Sequence, residues 1–240
     1  MKHKNIFEIY DGMLDENFVG LDKWQHHLTI YDKYLVKPEN LGDETFSLVN
    51  FSESVDSSIL FARLLTTWEL EKEVNMVHVH KHDKDVSALQ MMGIKTLQGD
   101  YGDDAFLRKV VSAAGAMHVV VDDTHYTNSQ RAIIKGIYPR MNHDSVLFVE
   151  DTYFNHRKDY ITSKPTFLEY VQTLYRELDD WHNNSMQDKQ YQLPESRRDI
   201  AAYNQVTQFG SSTEAIHLHN GMVVFEKSKR TPPWQKIRKW

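Results

Sequence analysis

Val119-Val120-Val121-Asp122-Asp123 and Leu147-Phe148-Val149-Glu150-Asp151 decide how this chain folds. Each is a short apolar run that ends in two carboxylates. The first, extended back to Met117, is β-branched and reads as a strand buried on both faces, as in a parallel sheet. Val146 to Val149 reads as a second buried strand. Between them Asn128 to Tyr138 reads as a helix stopped by Pro139. Strand, helix and strand of these lengths make a parallel βαβ unit with a right-handed crossover.

The same alternation continues upstream. Phe46 to Phe51 reads as a strand and Ser57 to Leu70 as a helix. In that helix Leu60, Phe61, Leu64, Leu65 and Trp68 recur at helical spacing. Met76 to His80 and Ile94 to Leu97 read as strands. Val86 to Met92 reads as a short helix closed by Gly93, at the place a helix C-terminus favours. Asp103 to Ala114 reads as a helix that is acidic where its dipole is positive. Before Asn40 the chain is polar and aromatic, with a helix at Leu28 to Leu35 that Lys37-Pro38 ends. Downstream, Pro165 to Trp181 reads as a longer helix capped by Ser163 or Thr162, and residues 183–205 read as polar loop. Ala215 to Leu218 and Met222 to Phe225 flank Asn220-Gly221, a strong hairpin signal. The expectation is residues 1–40 as an N-terminal helical segment and 41–240 as one globular α/β domain with a mainly parallel sheet.

Bulk composition narrows the function classes. The chain has 240 residues, 40% hydrophobic and 26% charged, which is enough for one sizeable core. Its net charge of -6 argues against a chain-wide nucleic-acid footprint. There are no cysteines, so disulfides, thiolate metal sites and cysteine nucleophiles are excluded. No run approaches a membrane span, and Met1 to Met13 holds no apolar run of signal-peptide length, so a cytoplasmic protein is expected. The tail with Lys236, Arg238 and Lys239 reads as a solvated end.

The chemistry centres on the two acidic pairs. Ligands of open α/β sheets bind outside the carboxyl ends of the strands. If the two strands are neighbours, up to four carboxylates meet there. They repel one another unless a proton or cation sits among them, and hard oxygen ligands suit Mg2+, Mn2+ or Ca2+. Alternatively each Asp caps a helix or a turn. His125 and Tyr126 follow the first pair, and either suits a general base beside a metal-bound hydroxyl. His78, His80 and His82 alternate along one strand and so share a face, as a transition-metal set or as ordinary strand residues. Trp24, His26 and His27 are candidates for a pocket wall, or for packing.

Several of these segments resemble the class I S-adenosylmethionine (SAM) dependent methyltransferases, above all the metal-dependent sugar O-methyltransferases of macrolide biosynthesis. Gly20-Leu21-Asp22-Lys23-Trp24 with His27 resembles that family's "GTDK…H" segment, followed by a helix with Tyr31 and Tyr34. Gly99-Asp100 to Leu107 resembles "GDxxDxxFL", Val121-Asp122-Asp123 through Asn128 resembles "IDDGSHxN", and Val149-Glu150-Asp151-Thr152 resembles "VEDT". The resemblance implies a Rossmann-like methyltransferase fold, with a mainly parallel seven-stranded sheet ending in an antiparallel hairpin. It implies Mg2+ or a similar cation on Asp123 and Asp151 with Glu150 close by, and a general base at His125 or Tyr126. SAM would then contact Asn50, Ser52, Asp56, His80, Asp100 and Asp122.

The chain departs from that pattern in the SAM half. The turn Asn50 to Ser58 contains no glycine, so close backbone approach to a ligand is hard to supply there. His80 stands where an acidic ribose ligand is expected, and Tyr126 stands where the family's catalytic His falls. Three readings follow. One is a SAM- and metal-dependent O-methyltransferase acting on a hydroxyl of a sugar or other small molecule, with a homo-oligomer left open. The second is a catalytically inactive methyltransferase-like binding or scaffold protein. The third is a metal enzyme with another cosubstrate.

Overall fold

The computed structural model describes residues 5–16, 18, 20–35, 45–68, 73–180 and 206–230. The expected stop at Lys37-Pro38, the polar stretch 183–205 and the tail from 231 lie outside the described residues.

Seven strands form one sheet: β1 (Thr45–Ser52), β2 (Glu73–His80), β3 (Lys95–Gln98), β4 (Val119–Asp123), β5 (Ser145–Val149), β6 (Thr213–His219) and β7 (Met222–Lys227). Their order is β3-β2-β1-β4-β5-β7-β6. The first five are parallel, and β7 is antiparallel to both β5 and β6. The mainly parallel sheet with a closing hairpin is therefore present as expected. Gly221, with φ +75°, makes the turn between β6 and β7.

Helices cover both faces. Ile6–Asp15 (α1), Gln25–Tyr34 (α2), Val55–Thr67 (α3) and Ser87–Met91 (α4) pack on one side. Asp104–Ala114 (α5), Thr127–Gly136 (α6), Phe167–Leu178 (α7) and Gln208–Ser212 (α8) lie on the other. Strand residues divide by the pleat. Val119, Val121, Val146 and Phe148 join the first core, while Val120, Leu147 and Val149 join the second. Both faces of β4 and β5 are thus buried, which explains why these runs are apolar throughout. Among the described residues no helix is long and apolar enough to cross a membrane.

Several boundaries differ from expectation, each for a local reason. The helix expected at Leu28 begins at Gln25, because the polar residues of its first turn are helical too. The helix expected from Ser57 begins at Val55, where the Ser54 hydroxyl accepts from the Ser57 backbone N–H. The long helix begins at Phe167 and not at Pro165. Its cap is Thr166, in a capping box with Glu169, and neither Ser163 nor Thr162. β4 includes Asp122 and Asp123, since both pair with neighbouring strands.

The chain leaves β1 toward β2 and β3, then returns to place β4 on the other side of β1. The crevice outside the carboxyl ends of β1 and β4 is the topological switch point, where such sheets take ligands. Ser52 pairs with Asp123 across that point.

Candidate active site

At this crevice lies a cleft of about 530 Å3. The turn after β1, from Ser52 to Ser57, forms one wall. Asp123, His125 and Asp151 form the floor. Trp24, Tyr153, Phe154 and Tyr160 give an aromatic wall.

The four carboxylates expected together do not converge, because β-strand side chains alternate between faces. Asp122 points to the α5–α6 side, where it is fully buried and accepts from Thr124 Oγ1 at 2.7 Å and Thr124 N at 3.2 Å. Burial pushes its carboxyl up to about 7, against the opposing pull of those bonds. Asp123 and Glu150 point to the α1–α3 side. There Lys23 Nζ donates to Asp123 Oδ2 at 2.8 Å and to Glu150 Oε1 at 2.6 Å. Glu150 also accepts from Tyr31 OH and lies 3.3 Å from His27 Nδ1. Burial alone would raise the Glu150 carboxyl. The Lys23 charge and its other partners outweigh that and hold it down to about 2. The same two carboxylates push the Lys23 ammonium above its ordinary range despite its burial.

Lys23 is therefore the cation that the acidic cluster requires. Sequence reasoning quoted it within a matched segment but assigned it no role. Nothing local distinguishes it among the 28 Lys and Arg residues, and it stands 100 positions before Asp123.

Asp151 lies beyond the end of β5. Its backbone is left-handed, φ +54°, as is that of His125, φ +64°. The two kinks turn both side chains back toward Asp123. His125 Nε2 lies 2.7 Å from Asp151 Oδ2 and 3.4 Å from Asp123 Oδ1. Burial lowers the imidazole's pKa, but the bond to Asp151 and the two carboxylate charges outweigh that and raise it overall. One donor atom from each of Asp123, His125 and Asp151 falls within 4.8 Å of the others. Asp151 Oδ1 is buried without a hydrogen-bond partner. Spare acceptor capacity among clustered carboxylates fits a divalent cation, and these three residues would hold it.

The remaining candidates scatter. Ser52 lines the cleft and donates to Asp123 Oδ2 at 3.0 Å. Asp56 lines it too, but its carboxylate accepts from Gly20 N at 2.8 Å. A Cβ at Gly20 would stand 2.6 Å from that carboxylate, so a side chain there would displace Asp56. Asn50 is buried beneath the turn and donates to Ser57 and Ser58. His80 is buried, stacks on His78, and donates to the His82 carbonyl at 2.8 Å. The three strand histidines form no ligand set, because β2 ends at His80 and His82 lies beyond it. Asp100 is exposed and accepts from Lys81 and Gly102. Tyr126 faces a second cavity, of about 250 Å3, so of the two catalytic candidates His125 alone lines the main cleft. Trp24 does form part of the wall. His26 donates to the Asn220 carbonyl, while His27 is buried at Glu150.

Glu53, which sequence reasoning passed over, lines both cavities. It accepts from Lys81 N at 2.7 Å and from Tyr101 OH at 3.1 Å. Glu53, Asp56 and Asp85 outnumber Lys84 on the cleft walls, where Lys84 Nζ lies 3.4 Å from Glu53. Volume and charge together fit a cationic ligand of nucleoside size. The turn offers such a ligand side-chain oxygens in place of a glycine-lined backbone.

No protein-family model and no curated protein matches the chain. Among solved structures, the MycE methyltransferase of the mycinamycin biosynthetic pathway, in complex with Mg, SAH and mycinamycin VI, aligns over 100% of the chain. The TM-score is 0.69 at 14% identity. A second MycE crystal form, with Mg and SAH, aligns over 100% of the chain with a TM-score of 0.67 at 15% identity. The chain spans 57% of the length of either one. At such identity the likeness concerns the fold, which is the Rossmann-like methyltransferase fold.

Proposed function

We propose that this chain is a SAM-dependent O-methyltransferase that uses a divalent cation and acts on a hydroxyl of a sugar or other small molecule. The observation that carries this reading is the Asp123–His125–Asp151 group, which faces the Ser52–Ser57 turn across one cleft at the switch point. The MycE complexes, with Mg and SAH, support it by analogy of fold.

When bound, SAM supplies the methyl group and the cation supplies positive charge at the acceptor oxygen. The chain's own residues do the rest. Asp123, His125 and Asp151 would hold the cation at the cleft floor. Trp24, Tyr153 and Tyr160 offer apolar faces against which an acceptor ring can lie. Asp56 offers a carboxylate to a sulfonium or ammonium group, while Glu53 is engaged by Lys84, Lys81 N and Tyr101 OH. Lys23 Nζ and Ser52 Oγ hold Asp123 through its Oδ2, which leaves Oδ1 on the side of His125.

The test is calorimetric titration with SAM and with SAH, each with and without MgCl2 or MnCl2. Micromolar binding strengthened by the cation is expected. No binding at millimolar ligand to folded protein would refute methyl transfer and favour a binding module. The double variant Asp123→Asn, Asp151→Asn should also lose the cation-dependent rise in melting temperature expected of the native chain.

A further inference from the structure

We infer that His125 is a direct ligand of the cation, so that the site selects a first-row transition ion such as Mn2+, Fe2+ or Co2+ over Mg2+. The inference rests on the proposed metal-assisted reading and adds the identity of the ion class.

An octahedral ion with bonds of about 2.1 Å sets cis donors about 3.0 Å apart and trans donors about 4.2 Å apart. The imidazole Nε2 stands 2.7 Å from Asp151 Oδ2 and 3.4 Å from Asp123 Oδ1, which brackets the cis spacing. All three donors lie within 4.8 Å of one another, so the widest pair must draw in toward the trans spacing when an ion binds. An ion bound here would take Nε2 into its shell in place of the hydrogen bond that Nε2 makes to Asp151 Oδ2.

Independent support comes from Asp151. It is 7% exposed, and its Oδ1 is buried with no partner, so the carboxylate keeps acceptor capacity that the protein leaves unused. Asp123 and Glu150 share the one ammonium of Lys23.

The ring is set in place by its neighbours. Phe154 meets it edge-on at 5.0 Å between centroids. The next residue, Tyr126, turns away to pack on Tyr160 at 5.4 Å. Imidazole is a poor ligand for Mg2+, which prefers oxygen and its own water, and a good one for transition ions.

Pulsed electron paramagnetic resonance of the full chain loaded with MnCl2 tests the assignment, with calorimetry of MnCl2, CoCl2 and MgCl2 alongside. The native chain is expected to show hyperfine coupling to one directly bonded 14N, and Mn2+ and Co2+ binding at least about tenfold tighter than Mg2+. His125→Gln should lose the nitrogen coupling and most of that preference, while its Mg2+ affinity changes by less than about threefold. If His125→Gln does not fold, 15N-histidine labelling of the native chain must convert the coupling to that of 15N. Bound Mn2+ without nitrogen coupling, or a preference that survives His125→Gln, overturns the inference yet leaves an oxygen-ligated metal site and the proposed function standing. No binding of any of the three ions to folded native chain overturns both.

Discussion

Replacing Lys23 by Met tests the electrostatic logic of the site. The side chain keeps its approximate length and loses its charge. Lys23 Nζ is then no longer present at 2.8 Å from Asp123 or 2.6 Å from Glu150. Both carboxylates are nine-tenths buried or more. Breaking a buried pair by removing one partner costs about 3–5 kcal/mol, because the charge left behind is uncompensated. For a chain of this length each kcal/mol moves the melting temperature by about 2–4 °C. The expected fall is therefore about 6–20 °C at neutral pH, read by circular dichroism during heating. Adding Glu150→Gln to Lys23→Met removes one stranded charge and should recover part of the loss, with a coupling of about 0.5–3 kcal/mol between the two sites. A single variant within about 1 kcal/mol of the native chain would refute the view that Lys23 is the cluster's resident cation.

Two further outcomes are expected. Burial, with the nearby charges of His80 and Lys84, pushes the His78 imidazole down to about 4 from its ordinary 6.5. The stability this implies is complete above pH 6.5 and is lost as pH falls toward 4, by about 3 kcal/mol; in urea titrations across that window His78→Asn should show a flatter profile, and an unchanged slope would contradict the assignment. A Cβ at Gly99 would stand 2.4 Å from the Phe106 ring. Gly99→Ala should cost about 1–3 kcal/mol by overpacking, measurable as a lower urea midpoint, and a neutral effect would show that the ring yields freely.

Much of this protein is legible without coordinates. The runs at Val119–Val121 and Val146–Val149 are apolar because each strand is covered on both faces, and local composition reports that directly. Asn220-Gly221 marks its hairpin because the turn needs a left-handed residue that glycine supplies. The acidic strand ends pointed to the carboxyl edge of the sheet, because the alternation of strands and helices makes the strands parallel and ligands bind outside that edge. The two acidic pairs were within reach for that reason, while the choice of Asp123 and Asp151 within them came from the family resemblance.

The tertiary structure decided the rest. The pleat sends Asp122 to one face and Asp123 to the other, so adjacent residues with the same chemistry play different parts. Glu150 pairs with Lys23 and not with the candidate cation site, and that contact spans 127 positions. His125 and Asp151 reach Asp123 through left-handed backbone at non-glycine residues, which residue type does not announce. Local pattern determines which segments are strands and helices, since hydrophobic periodicity is a property of neighbouring residues. Which charges neutralise one another depends on distances between segments remote in sequence, and folding alone sets those distances.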